Sequence, residues 1–175
     1  AWCAKESFPG EIALLKRLGP EERYAYFSAQ YFMNRYQRKA YLSLPTAERR
    51  AGWFERFWID VDPTPGTVPN ERRMEHDKRT ALARKLFGMK KAPGWDDRGE
   101  TLIRYGLPSN RSQIWGTVSF SGMNPPGEIW LYRSLDMIAQ FRNVNLKGEF
   151  VFATDRIGIS SRRELERLQN VSSQS

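Results

Sequence analysis

The sequence predicts an α+β fold, in which an N-terminal helical half is followed by a small, mainly antiparallel sheet. Aromatic and aliphatic residues recur every three to four positions in the first half, whereas short runs rich in aromatic and β-branched residues follow Pro93. Helices succeeded by strands along a chain are typical of α+β proteins. The 175 residues are expected to form a single domain, residues 1–175. Its helical part is predicted at about 9–90, its sheet part at about 100–155, and a short C-terminal helix and tail at 160–175.

Four helices are predicted in the first half, each bounded by Pro, Gly or a Leu-Pro-Thr break. The second of them rests on two neighbouring lines of residues that recur at helical spacing and are expected to be buried, namely Tyr24, Phe27 and Tyr31, and Ala25, Phe32 and Tyr36. The predicted helices cover residues 11–18, 21–42, 47–59, and a last stretch from Pro69 or Asn70 to Phe87.

The second half is predicted to hold short strands, because its apolar runs are brief and rich in aromatic and β-branched residues. Lys147-Gly148 lies between the last two runs and favours a hairpin turn. Residues 107–127 contain several Pro and Gly residues and are predicted to form a long loop with room for a strand at 114–120. The predicted strands cover residues 101–106, 128–133, 139–144 and 149–154, and a helical turn is predicted at 164–168.

Composition excludes several classes of protein. The aromatic residues amount to 13%, which is too many for an intrinsically disordered chain. No run approaches the roughly 18 consecutive apolar residues of a membrane span, so no transmembrane segment is expected. Cys3 is the one cysteine, and it can form neither an intrachain disulfide nor a thiolate zinc site. Whether Cys3 is a free thiol or carries a lipid is left open.

The net charge of +8 suggests a nucleic-acid partner, but its distribution argues against one. The basic excess is spread along the chain instead of being gathered into one footprint. Arg outnumbers Lys, and Arg is the better residue for paired carboxylates and protein interfaces. The charge pattern therefore favours internal ion pairs and an acidic or anionic neighbour.

Polar residues that could take part in binding or catalysis are concentrated between residues 57 and 106. Glu75 and Arg79 have the favoured order and spacing of a helical ion pair. Asp62 and Asp97 lie on turns where a carboxylate can cap a helix or accept backbone N–H groups. These residues are predicted to form a polar brace between the helical half and the sheet. The candidate structural or binding cluster is Asp62, Asn70, Glu71, Glu75, His76, Arg79, Trp95, Asp97 and Arg98.

Several of these residues belong to an ordered series of short motifs. The series is Phe57-Trp58, Asp62 to Pro65, Asn70-Glu71 with Glu75 and Arg79, Gly94 to Gly99, Tyr105 to Pro108, and Glu128 to Tyr132. In order and spacing the chain resembles, over about residues 45–155, the GWxTD-domain proteins, which are named for a Gly-Trp-x-Thr-Asp motif. One departure is that Asp96 stands where the motif has Thr.

The resemblance implies an exported bacterial protein with an α+β layout, an extracytoplasmic (periplasmic) location and no established catalytic activity. The chain is accordingly predicted to be a non-catalytic binding or scaffold protein of the bacterial envelope. It would serve as an accessory subunit on the periplasmic face of a large respiratory or photosynthetic membrane complex. Protein partners are expected, with no nucleic acid, no cofactor and no metal site.

Two alternatives stay open. The first is a hydrolase that uses Asp62, Glu71, Glu75, His76 and Asp97, with His76 as a general base or a metal ligand, because imidazole titrates near neutrality. A chain with one histidine supplies no two-histidine metal motif, and no nucleophile elbow or phosphate-binding loop is present. The second alternative is a basic protein that binds an anionic surface or a nucleic acid.

Overall fold

A computed structural model describes residues 8–119, 122–143, 145–153 and 159–161. The chain divides into two compact units, Ala1–Ala81 and Leu82–Ser175. Helices build the first unit and an antiparallel sheet is central to the second, so the predicted α+β class is confirmed. Within the described ranges, no helix combines the length and the apolar character needed to span a membrane. Cys3, the turn predicted at 164–168 and the C-terminal tail lie outside the described residues.

The helices of the described residues begin and end close to several of the predicted limits. They are α1 (Glu11–Leu15), α2 (Pro20–Ala29), α3 (Arg35–Ser43), α4 (Ala47–Asp60), α5 (Glu71–Phe87) and α6 (Asp97–Tyr105). The helices predicted at 47–59 and up to Phe87 are confirmed as α4 and α5. The helix predicted at 11–18 is shorter, because α1 ends at Leu15 and gives way to a turn before Pro20 starts α2.

The single helix predicted at 21–42 is wrong, because the chain breaks between α2 and α3. Asn34 caps α3: its side chain accepts the Gln37 N–H, and the Gln37 side chain accepts the Asn34 N–H, both at 2.9 Å. The break lets Tyr26 stack on Tyr41, with ring centroids 5.8 Å apart. In one continuous helix these residues would lie about 22 Å apart along the axis.

The core of the helical unit is aromatic, but it uses a different line of residues from the one predicted. Tyr26 is fully buried, whereas Tyr24, Phe27 and Tyr31 are half-buried. On the neighbouring predicted line Phe32 is half-buried, but Ala25 and Tyr36 are exposed, so their predicted burial is wrong. The Tyr26 hydroxyl donates to the buried Glu11 carboxylate at 2.5 Å, and burial next to this anion raises the Tyr26 pKa above its usual range. The partly buried side chains packed around Tyr26 and its neighbours are Leu14, Leu15, Phe27, Trp53 and Phe54.

The strand predicted at 101–106 is also wrong, because these residues belong to helix α6. Asp96 is the N-cap, and its side chain accepts the backbone N–H groups of Arg98 and Gly99. Within the helix, the Thr101 hydroxyl donates to the Asp97 carbonyl at 2.7 Å. The cap and the buried face of the helix outweigh the β-branched character of this short apolar run.

The sheet unit is antiparallel, and its strands are β1 (Asn110–Ile114), β2 (Thr117–Ser119), β3 (Gly122–Asn124), β4 (Gly127–Tyr132), β5 (Met137–Arg142), β6 (Val151–Phe152) and β7 (Ile159–Ser161). The main sheet has the order β1-β4-β5-β6, and β7 also pairs with β5. The strands predicted at 128–133 and 139–144 are confirmed as β4 and β5, each shifted by one or two residues. The strand predicted at 149–154 is confirmed only at Val151–Phe152. Gly148 adopts a positive φ of 84° at the predicted turn before β6.

One face of the main sheet is buried. Glu128 and Trp130 alternate with less buried residues along β4, and Trp130 lies opposite Ala139 of β5. Helix α6 contacts β5 and β6. Trp130, Ala139 and Phe141 are almost completely buried, so this face forms the core of the sheet unit.

The long loop predicted at 107–127 contains three strands instead. Strand β1 pairs with β4, and β2 and β3 form a separate two-stranded sheet. Sequence patterns missed β1 because all five of its side chains are exposed, so no alternation of apolar and polar residues marks it. The strand suggested at 114–120 is interrupted at Trp115-Gly116, which separates β1 from β2.

Candidate functional site

The predicted cluster is divided between the two units. Six of its residues belong to the helical unit, namely Asp62, Asn70, Glu71, Glu75, His76 and Arg79. The other three, Trp95, Asp97 and Arg98, belong to the sheet unit. The hydrogen bonds described below join each group to partners inside its own unit.

In the helical unit, Glu71 fastens the Pro-rich loop to the start of α5. Its two carboxylate oxygens accept the hydroxyls of Thr64 at 2.5 Å and Thr67 at 2.7 Å. These hydroxyls hold the pKa of Glu71 below its usual value. Asp62 accepts the Thr64 backbone N–H at 3.0 Å. Both carboxylates therefore organise the loop between α4 and α5.

Asn70 joins this loop to two helices. Its side-chain oxygen accepts the Arg73 backbone N–H at 2.8 Å, which caps the start of α5. Its amide nitrogen donates to the Trp58 carbonyl near the end of α4 at 2.7 Å. Further along α5, Arg79 donates to Glu75 at 2.7 Å in the predicted ion pair. Glu75 and Arg79 are partly exposed, so this pair adds little to stability.

His76 is buried in the helical unit, with 6% of its surface exposed. The Phe32 ring meets it edge-on at 5.5 Å, and the Trp58 ring lies at 4.7 Å. Burial, assisted by the charge of Arg79, lowers the pKa of His76 from its ordinary value of 6.5 to about 4. The imidazole is therefore neutral at physiological pH.

The hydrogen bonds of His76 involve one of its two ring nitrogens. Its Nε2 lies 3.0 Å from the Ser28 hydroxyl and 3.4 Å from the Thr80 hydroxyl. Nε2 can donate to Ser28 or accept from either hydroxyl, depending on the tautomer. Nδ1 has no hydrogen-bond partner among the described residues. In a catalytic triad the equivalent nitrogen donates a hydrogen bond to a carboxylate, and His76 has no such partner among the described residues.

The sheet unit contains a buried ion cluster centred on Arg98. The Arg98 guanidinium donates to Asp96 at 2.7 Å and to Glu128 at 2.8 Å. Arg111 of β1 donates to both oxygens of Glu128, and the Trp130 indole donates to the same carboxylate at 2.8 Å. The carboxylates of Asp96 and Glu128 are only 1% and 5% exposed. The cluster joins α6, β4 and β1.

Glu128 remains ionised in this buried position. Burial alone would raise its pKa, but the hydrogen bonds from Arg111 and Trp130 and the charge of Arg98 outweigh that effect. The net result is a pKa below the usual glutamate value. The buried charges are therefore matched, as a stable buried ion cluster requires.

The start of α6 also holds the segment that leads into β6. Asp96 accepts the Phe150 backbone N–H at 3.1 Å, and Asp97 accepts the Phe152 backbone N–H at 2.8 Å. The Arg98 guanidinium lies 3.7 Å from the centre of the Phe150 ring. Asp97 thus serves as a backbone acceptor, and Arg98 both pairs charges and packs on an aromatic ring.

Asp96 has two roles at the start of α6. Its side chain is the N-cap of the helix, a position that Thr can also fill. The Asp carboxylate adds a negative charge that binds the Arg98 guanidinium twice, at 2.7 and 3.0 Å. The same carboxylate therefore caps α6 and pairs with a buried cation.

Sequence reasoning missed Glu128 and Arg111 as members of this cluster and Ser28 as the partner of His76. A weak signal for Glu128 was available, because a charged residue stands in line with Trp130 on the buried face of a predicted strand. Nothing in the sequence marks Ser28, because its contact with His76 joins residues 48 positions apart.

The sheet unit presents an apolar surface beside the open edge of its main sheet. We call residues 115–119 and 122–124 the arm; it contains β2 and β3. Trp115 is 79% exposed, Val118 85% and Met123 53%. Val118 and Met123 lie directly opposite each other, so they share one face of the arm. Strand β1 precedes the arm, and among the described residues its outer edge pairs with no strand.

Among the described residues, no group of three or more His, Cys, Asp and Glu side chains could hold a metal ion. No family model, curated protein or solved structure matches the chain.

Proposed function

We propose that this chain is a non-catalytic binding or scaffold protein of the bacterial envelope. In this proposal it is an accessory subunit on the periplasmic face of a large membrane protein complex of the respiratory or photosynthetic kind. The envelope location rests on the resemblance to the exported GWxTD-domain proteins. The binding role rests on the arm and the neighbouring edge of β1.

The arm carries the proposal because it exposes large apolar side chains close together. Trp115, Val118 and Met123 lie within nine residues, and each is more than half exposed. Contiguous apolar surface on a folded protein is typical of an interaction site, and Trp and Met are enriched at protein interfaces. A surface of this kind favours a protein partner over a small substrate.

The edge of β1 adds a second means of attachment. Its five residues run without a bulge along β4, from Asn110 opposite Leu131 to Ile114 opposite Gly127. The strand contains no Pro, and its one charged side chain, Arg111, is bound to Glu128. An extended segment of a partner can therefore add to this edge through backbone hydrogen bonds.

Site-specific crosslinking in native membranes tests the proposal. A photoreactive phenylalanine analogue would replace Val118 on the arm, and Leu135 in the control, because Leu135 is an exposed apolar residue of the same unit outside the arm. After mild detergent extraction, the Val118 site is expected to crosslink to one or more membrane subunits in stoichiometric yield, and the Leu135 site is not. A protein that leaves the membrane fraction alone and uncrosslinked would overturn the proposal.

A further inference from the structure

The helical unit contains a groove between α2, α4 and α5 that the proposed function does not use. Its volume is about 440 Å³, which is within the range of small-molecule sites. The small side chains of Ala25 and Ala51 line its sides, and the rings of Tyr41, Phe54 and Trp58 form what we call its aromatic wall. An apolar body of drug-fragment size can enter such a groove.

The charges around the groove are opposite in sign to the net charge of the chain. Glu21, Glu22, Glu55 and Asp77 line it together with one cation, Arg73, in a protein whose net charge is +8. Two of the four carboxylates are neutralised. Arg50 donates to Glu22 at 2.7 Å, and Arg73 donates to Glu55 at 2.6 Å. The side-chain carboxylates of Glu21 and Asp77 form no hydrogen bond and no close ion pair with a described side chain, although the charge of Arg73 acts on Asp77.

Asp77 is an exposed carboxylate that lines the groove, and neighbouring protein removes part of its water. Partial burial raises its pKa, and the charge of Arg73, four residues earlier on α5, offsets this only in part. A bound cation near Asp77 would favour the ionised carboxylate, because an opposite charge within about 4–6 Å stabilises the charged form. The electrostatics of the groove therefore complement a positive ligand group.

His76 supplies an independent feature of the same wall. It lines the groove as a neutral ring, so it does not repel a cation. Its Nδ1 is buried and has no hydrogen-bond partner among the described residues.

We propose that the groove binds a small organic cation, an ammonium group on an apolar or aromatic body. The ammonium group pairs with Asp77 and Glu21, and the apolar body packs between Ala25 and Ala51 against the aromatic wall. Cations are also attracted to the faces of aromatic rings, which adds to the binding. The proposal is separate from the binding role of the arm, which belongs to the sheet unit.

The test uses phenethylammonium as the probe and titration calorimetry on the full chain. Two analogues of the same shape, 2-phenylethanol and 3-phenylpropionate, remove or reverse the charge. We expect phenethylammonium to bind at least tenfold more tightly than either analogue. Failure of phenethylammonium to bind, or equal binding of the alcohol, would overturn the proposal.

Matched variants locate the site. Asp77→Asn is expected to weaken phenethylammonium binding at least tenfold, whereas Asp60→Asn, an exposed acid outside the groove, is not. Ala51→Leu fills the groove and is expected to abolish binding, whereas Ala40→Leu on the exposed side of α3 is not. Equal losses in a variant and its control would place the probe elsewhere and refute the assignment. Glu21→Gln gives a second charge variant if Asp77→Asn does not fold.

Discussion

Replacing Arg98 by Gln tests whether the buried ion cluster holds the sheet unit together. The substitution removes the cation that binds Asp96 and Glu128, whose carboxylates are almost completely buried. Breaking a buried ion pair by removing one partner costs about 3–5 kcal/mol, because the other charge is left unpaired. The matched control is Arg142→Gln, an exposed residue near the end of β5 in the same unit.

The expected loss is at the lower end of that range. Asp96 keeps the backbone N–H groups of Arg98, Gly99 and Phe150, and Glu128 keeps Arg111 and Trp130, so neither carboxylate is left without donors. We therefore expect Arg98→Gln to lower the free energy of unfolding by about 3 kcal/mol. With an m-value of about 2 kcal/mol/M, the urea midpoint falls by about 1.5 M.

Urea-dependent hydrogen exchange measured by mass spectrometry is the appropriate assay, because peptides from β4 and β5 report on the sheet unit alone. Arg142→Gln is expected to change the midpoint of these peptides very little. Adding Glu128→Gln to Arg98→Gln removes the stranded negative charge, so the double variant should lose at least about 1 kcal/mol less than the sum of the single losses. A loss below about 1 kcal/mol for Arg98→Gln, or simple additivity, would refute the reasoning.

Three further predictions concern single residues. The pKa of His76 is about 4 in the folded chain and near 6.5 in the unfolded chain, so the unfolded chain binds a proton first as the pH drops. The free energy of unfolding should therefore fall by about 3 kcal/mol between pH 6.5 and pH 4. Urea midpoints measured over this range should not show this fall in His76→Phe. In thermal melts, Gly99→Ala should destabilise the sheet unit by about 1–3 kcal/mol, because the new Cβ would lie 2.5 Å from the Trp95 Cβ. Gly52→Ala on α4 is the matched control: its new Cβ meets open space, and it should stabilise the helical unit by about 0.5–1 kcal/mol. Asp96→Thr should keep the α6 cap but lose the ion pair with Arg98. Hydrogen exchange at the start of α6 should therefore stay slow, while the urea midpoint of β4 peptides falls. An unchanged midpoint would contradict the role given to the Asp96 carboxylate.

Local signals predicted the elements that are regular in themselves. Helices α4 and α5 have clear ends, and Gly88 follows the last residue of α5, so their limits were accessible from the sequence. Helix α6 was not, because Thr101 to Ile103 look like a strand when they are read without the Asp96 cap. Strand β1 could not be predicted either, since its pairing with β4 is what makes it a strand.

The candidate site was predictable in its members more than in its arrangement. Asp97 and Arg98 were predicted to belong to a structural or binding cluster, and both side chains form hydrogen bonds. One of the two carboxylates that Arg98 binds is Glu128, 30 residues further along the chain. A pairing over such a distance depends on how the sheet assembles, which the spacing of residues in one sequence does not encode.

The unpaired edge of β1 and the apolar arm have a consequence for how the cell handles this chain. An uncovered edge strand next to exposed apolar side chains recruits other extended chains, including further copies of itself. Each molecule made in excess of its partner would therefore be at risk of aggregation or degradation. On the proposed role, matching the synthesis of this chain to that of its complex is a condition of keeping it in solution.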